Sequence, residues 1–281
     1  MSDFDRPAGP PNDALDAEDV RPFFSRGRYQ TVYEIIVELP FYRHAMELHM
    51  RWIRSIDTAA PLIIDAGGGI GIMTAEARCV RPEADVYLLD INPAMAEQAE
   101  KYGIPHDKIA ITDITAMSVD RSAVSGSEAA ALFSESTAEP NRVRVKSEGV
   151  DHVLSHSVVW ALPHPEAFFA EARRVLRRRG TFAVSTVSEN LHAYRQYFLD
   201  YLEHHLSAAV WQGAVSSEQG ATFLEQNARI TEAAKSPLSV RQLRELGEKH
   251  DFAVEGVADC YVVETPDGAR PYFYQFLYRK R

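Results

Sequence analysis

"LIIDAGGGIGIM", residues 62–73, decides the fold. An apolar run reaches Asp65, and glycines follow at 67, 68, 69 and 71. This reads as a buried strand breaking into a turn whose backbone comes close to a ligand. The nicotinamide fingerprint G-x-G-x-x-G does not match. Counted from Gly67 its last position is Ile72, and from Gly69 it is Thr74. A P-loop is excluded as well, since no Gly-Lys-Ser/Thr follows. The motif present is D-x-G-x-G-x-G, on Asp65, Gly67, Gly69 and Gly71.

Outward from this turn the chain alternates. Strand-like runs are Leu62–Asp65, Val86–Asp90, Ile109–Asp113, Val150–Ser155 and Thr181–Val187. Helix-like runs are Met73–Val80, Pro93–Tyr102 and Pro165–Arg178. Such alternation predicts a parallel sheet with helices on both faces. A second strand ends in Asp90, 25 residues after Asp65, where a carboxylate can accept from both hydroxyls of a ribose. The third ends in Asp113, which can accept from a purine amine while Ile91 and Ile114 pack on the ring. These features describe a nucleoside site that needs no pyrophosphate.

The 281 residues suit one domain, with residues 1–27 a loose tail and 28–281 the folded unit. Residues 28–55 show helical spacing split by Pro40, and 190–235 form a helical lid rich in Tyr and His. Residues 122–147 are Ser-, Ala- and Glu-rich and read as a flexible insertion. Ser239 and Gln242 make a capping box, and two aromatic runs flanking "TPDGARP" predict a terminal hairpin. The net charge of −10 argues against nucleic acid, and the basic run Arg173–Arg179 is expected to be a solvated helix end. No apolar run approaches a membrane span, and Cys79 and Cys260 follow no metal spacing. The expectation is a cytoplasmic protein with no membrane or nucleic-acid partner and no metal. A homodimer stays open.

The chain resembles the class I S-adenosylmethionine-dependent methyltransferases. The resemblance rests on "LIIDAGGGIGIM", "VYLLDIN", "IAITDI" and "VDHVLSHSVVWALPHPEAFFAEARRVLRRRGTFAVST". It departs from the family in the 122–147 insertion and in "RRRG", where a proline-glycine turn is usual. It implies an α/β, Rossmann-like, mostly parallel seven-stranded sheet with a C-terminal antiparallel hairpin. It also implies S-adenosylmethionine as cofactor. Gly67, Gly69 and Gly71 would line its methionine part, with Asp65 acting indirectly on the amino group. Asp90 would hold the ribose, Asp113 with Ile114 the adenine, with Ile91 also packing on the ring, and Ser155 would sit beside the cofactor.

A sulfonium methyl is already activated, so the enzyme must align an acceptor and exclude water. His156, just past the fourth strand, is the candidate catalytic base, with a rate expected to titrate around pH 6–7. His152 reads as structural. Tyr29 and Tyr33, one helical turn apart, could close over the sulfonium by cation–π attraction. The acceptor is expected to be a small, fairly apolar molecule methylated on O or N, with C open. Two other readings remain at this stage: a protein that binds the cofactor without transferring methyl, and a nicotinamide oxidoreductase.

Overall fold

The structure, a computed structural model, describes residues 35–37, 39–124, 132–211, 213, 215–233, 237–266 and 268–281. Its first long helix, α1 (Pro40–Arg54), starts at the proline, whose fixed φ and missing N–H suit a first turn. Strand β1 (Leu62–Ala66) leads through the glycine turn into α2 (Ile72–Val80). Then come β2 (Asp85–Asp90), α3 (Pro93–Lys101) and β3 (Ile109–Ile111). Short strands β4 (Ser118–Asp120), β5 (Glu135–Ser136) and β6 (Arg142–Arg144) form a separate sheet in the order β4-β6-β5. The main sheet resumes with β7 (Val150–His156), α4 (Pro165–Val175) and β8 (Leu176–Val187). Helices α5 (Arg195–Trp211), α6 (Ser217–Ala233) and α7 (Val240–Lys249) precede the hairpin β9 (Phe252–Thr265) and β10 (Gly268–Lys280).

The seven main strands run in the order β3-β2-β1-β7-β8-β10-β9. The first five pair in parallel, and β10 enters antiparallel between β8 and β9. The Rossmann-like fold expected from the sequence is therefore present, as is the Ser239–Gln242 capping box on α7. Strand alternation divides the core. Ile63, Val86 and Leu154 pack under Met50 and Ile53 of α1 and Met73 of α2. Ile64, Val153 and Val184 face Phe168 and Phe169 of α4 and Leu243 of α7 on the other side.

Two boundaries differ from the sequence reading. β3 stops at Ile111, so Asp113 lies in the following turn. α4 stops at Val175, because Leu176 pairs with Val150 and enters the core. The run Arg173–Arg179 is thus divided between helix and strand. Arg174 donates to the Val145 carbonyl at 2.6 Å and to Glu171, and Arg177 pairs with Asp151. A solvated helix end is the wrong description of these two arginines.

The described part of the 122–147 insertion is also tied down. Leu132, Phe133, Val143 and Val145 all sit in the main core. The Ser- and Glu-rich composition hid these four side chains. Replacing 122–147 by a short Gly/Ser linker should expose the core under them, at ~1.5–3 kcal/mol per large side chain. The melting temperature should fall by roughly 10 °C or more. A thermal melt unchanged by the replacement contradicts this packing.

Candidate active site

One cavity of about 370 Å³ opens at the carboxyl ends of the parallel strands. That is where the crossing of strand order leaves a crevice in this architecture. The sequence places the walls in two halves. Gly67, Gly69, Asp90, Ile91, Asp113 and Ile114 line one. Phe41, Tyr42, His156, Trp160, Phe198 and Phe273 line the other.

The first half is built on backbone geometry. Gly67 and Gly69 take φ of 76° and 54°, conformations that side chains disfavour. A Cβ on Gly67 would come within 2.6 Å of Val158, so glycine also permits the β7 loop to close on this turn. Asp90 accepts from the Gly69 N–H at 2.9 Å and the Asn92 N–H at 2.8 Å. Loss of bulk water raises its pKa. The N-cap of α3 is the neighbouring Asn92, whose side chain accepts from the Ala94 N–H at 3.0 Å. Asp113 accepts from the Thr115 N–H at 2.8 Å and from its hydroxyl at 2.7 Å, which orders the turn on the cavity wall.

Three expected residues lie behind the wall. Asp65 is buried and accepts from the Thr74 hydroxyl at 2.7 Å. Burial pushes its carboxyl up to about 7, against the Thr74 hydrogen bond and with help from Asp90. Gly71, at φ 85°, caps α2, and a Cβ there would meet Ile104 at 2.9 Å. The Ser155 hydroxyl donates to the Ala66 carbonyl at 2.9 Å, so its side chain ties β7 to β1. Gly71 and Ser155 therefore stand behind the cavity lining, where they support the glycine turn and the β7–β1 pairing. Tyr29 and Tyr33 lie outside the described residues.

Residues 64–184 match the family model described as a methyltransferase domain. Three solved structures share the fold. The Haloferax volcanii complex of the Trm112 methyltransferase activator and a methyltransferase gives a TM-score of 0.54 at 14% identity, covering 91% of this chain and 96% of that one. An S-adenosylmethionine-dependent methyltransferase of Thermotoga maritima gives 0.53 at 15%, covering 93% and 99%. The plantazolicin methyltransferase BpumL, solved with S-adenosylhomocysteine and a substrate analogue, gives 0.55 at 15%, covering 93% and 94%. Residues 64–184 are a methyltransferase domain, and the fold around them is shared with S-adenosylmethionine-dependent methyltransferases. No curated protein is a significant match to the sequence.

In this methyltransferase the second half of the cavity is aromatic. Phe41 meets Phe198 edge-on at 5.6 Å and Phe273 at 5.7 Å. Tyr42 stands across His156 at 4.4 Å between ring centroids. Ser157 takes a left-handed φ of 58° directly after β7, and its carbonyl accepts from the Trp160 indole N–H at 2.9 Å. That turn, at the kind of place where active sites store strain, pins Trp160 to the wall. Sequence reasoning missed Phe41, Tyr42, Trp160 and Phe273, because aromatic residues in amphipathic runs look like core. "VVWALPHP" after a strand end offered the one local signal, a large apolar residue in a proline-flanked loop.

His156 lies on the cavity wall, 8% exposed. Its Nδ1 bonds the Ser185 hydroxyl at 2.6 Å, and its Nε2 has no partner. Burial pushes its imidazole down to about 3. His152 is off the wall, bonded to the Thr181 hydroxyl at 2.7 Å, and likewise pushed down to about 3 by burial. Among the described residues no group of side chains could hold a metal ion, and no helix is long and apolar enough to cross a membrane.

These buried imidazoles make the fold acid-sensitive. In the native chain His152 stays neutral down to about pH 3, whereas in the unfolded chain it protonates near pH 6.5. The unfolded chain therefore binds the extra proton between these values, and stability falls as pH drops below about 6.5. At pH 5 the loss is about 2 kcal/mol for each such group. Asp65 works in the opposite direction, since its raised pKa lets the native chain bind a proton first. Denaturant titrations at pH 8 and pH 5 should show the parent losing stability, and His152→Gln losing about 2 kcal/mol less. Equal losses in parent and variant contradict a neutral buried His152.

Proposed function

We propose that this methyltransferase transfers the methyl of S-adenosylmethionine to the oxygen of a small, uncharged, aromatic hydroxyl compound. Gly67 and Gly69 take the methionine part, Asp90 beside Ile91 the ribose hydroxyls, and Asp113 with Ile114 the adenine edge. Asp90 suits this role because each carboxylate oxygen keeps accepting capacity beyond its one backbone donor. Bound there, the cofactor supplies a sulfonium methyl whose C–S electrons return to sulfur as the new C–O bond forms.

The observation that carries the acceptor class is the makeup of the second half of the cavity. Among the described residues that line the cavity, the charged side chains are Asp90 and Asp113, both at the cofactor end. Among the described residues, carboxylate or phosphate acceptors would meet no Lys or Arg there, and an ammonium would meet no carboxylate. Phe41, Tyr42, Trp160, Phe198 and Phe273 offer edges and faces to a flat ring. On that wall His156 adds a group able to receive a proton. With a pKa near 3 it is too weak a base to ionise a hydroxyl before transfer. A hydroxyl becomes strongly acidic once its oxygen has begun to bond the methyl, and the depressed imidazole is then base enough. A methylated amine stays a weak acid and would gain nothing from such a base. This selects oxygen over nitrogen.

The test is a screen of neutral phenols, aliphatic alcohols and amines with methyl-labelled cofactor, read as labelled product by mass spectrometry. Transfer to phenolic oxygen supports the reading. Transfer only to amines or carbon overturns the oxygen assignment. Slow conversion of none, with tight cofactor binding, would favour a protein that binds the cofactor without transferring methyl.

A further inference from the structure

His156 is one member of a buried polar row on a face of the sheet otherwise covered by α1. In register across the strands, His156 of β7 pairs beside Ser185 of β8, which pairs beside Gln275 of β10. From α1 above, the His49 Nε2 lies 3.0 Å from the Ser185 oxygen. The same oxygen lies 2.6 Å from the His156 Nδ1. His49 and Ser185 are fully buried. The second nitrogen of each ring, His49 Nδ1 and His156 Nε2, is itself buried and has no partner. No carboxylate hydrogen-bonds either ring among the described residues.

A hydroxyl between two imidazole nitrogens has one proton to give and lone pairs to receive with. When it gives that proton to one ring, the other ring must present an N–H toward it. The two tautomers are therefore linked and opposite. If Ser185 donates to His49, then His156 carries its proton on Nδ1 and has a bare lone pair on Nε2. If Ser185 donates to His156, then Nε2 carries the proton and has no lone pair with which to receive another.

We propose that His49 and Ser185 are positioning residues that hold His156 in the Nδ1–H form, so that Nε2 is free to receive the acceptor's proton. The proposal rests on the reading of His156 as the base. In the transfer step the acceptor O–H bond breaks, its proton forms the Nε2–H bond, and its electron pair stays on the oxygen. Ser185 accepts from the Nδ1–H throughout, and His49 holds the Ser185 proton through its own bare Nε2, with its hydrogen on Nδ1. Neither residue touches the acceptor. Nothing in the pair resembles a charged relay, because no anion stands at its end to stabilise an imidazolium.

The consequence is a tautomer that reverses. In His49→Phe the Ser185 hydroxyl loses the ring nitrogen to which it donates, and the ring nitrogen left to it is His156 Nδ1. The proton of His156 then moves to Nε2. In Ser185→Ala neither form is imposed and both populate. The experiment is nitrogen NMR of the full chain labelled on histidine, saturated with S-adenosylhomocysteine, with His156 assigned from a His156→Gln sample. The parent should show Nδ1 as the protonated, pyrrole-type nitrogen and Nε2 as pyridine-type. His49→Phe should show the reverse, and Ser185→Ala averaged shifts for both. A parent protonated on Nε2, or one tautomer in all three samples, overturns the proposal. The base reading is judged separately, by turnover of His156→Ala. If that variant loses turnover while the tautomer ignores His49 and Ser185, the base stands and the positioning role falls. If it turns over like the parent, the base reading falls whatever the spectra show.

Discussion

His156→Ala lowers turnover by ~10²–10⁴-fold, the range for loss of a positioned general base. Affinity for S-adenosylhomocysteine hardly changes, because Asp90 and Asp113 line the other half of the cavity. The pH profile separates this role from an ordinary exposed histidine. The sequence alone suggests a rate that titrates around pH 6–7. Burial moves the imidazole down to about 3, so its neutral, proton-accepting form is present at every pH above that. From this group the rate should be flat from pH 6 to 8 and decline only in acid, where the fold itself weakens. Stopped assays at several pH values with an acceptor from the phenol screen give both quantities. Turnover of His156→Ala within a few-fold of the parent removes the base role. Transfer would then rest on positioning in the aromatic half of the cavity.

Asp90→Ala weakens cofactor binding at least tenfold. Hydrogen bonds to a charged group contribute ~1.5–3 kcal/mol each, and 1.4 kcal/mol is a factor of ten. The carboxylate also holds the Gly69 and Asn92 N–H groups, so part of the loss comes from a looser glycine turn. Asp90→Asn separates the two effects. It keeps an acceptor for one backbone donor and removes the charge that two ribose hydroxyls would share. Calorimetry should rank parent, Asn and Ala in falling affinity, with circular dichroism unchanged. Equal affinity in all three would place the ribose elsewhere.

The part of this molecule that could be read from its sequence is the part governed by short-range rules. Glycine spacing, strand-end carboxylates and the alternation of runs located β1, β2, β7 and the hairpin, and put Gly67, Gly69, Asp90, Asp113 and His156 around one cavity. Ser155 and Gly71, expected at the cofactor, stand behind the cavity lining for a local reason. A residue's place at a strand or helix end does not say whether its side chain turns to the crevice or back to a neighbouring strand. The 132–147 segment was misread because a few scattered apolar residues, Leu132, Phe133, Val143 and Val145, suffice to anchor a polar stretch. The aromatic half of the cavity was illegible for another reason. Phe41 and Phe273 are 232 positions apart and meet only through the sheet register and the docking of α1. His49 and Ser185 were invisible for the same cause. Nothing near either residue announces a partner 136 positions away.

The most direct test of the whole account is a crystal structure of the chain with S-adenosylhomocysteine. The account predicts ribose hydroxyls on the Asp90 carboxylate, adenine against Ile114 and Asp113, and the thioether sulfur turned toward the His156 and Tyr42 side of the cavity. A nucleoside bound outside this cavity, or one whose sulfur faces away from His156, would contradict it.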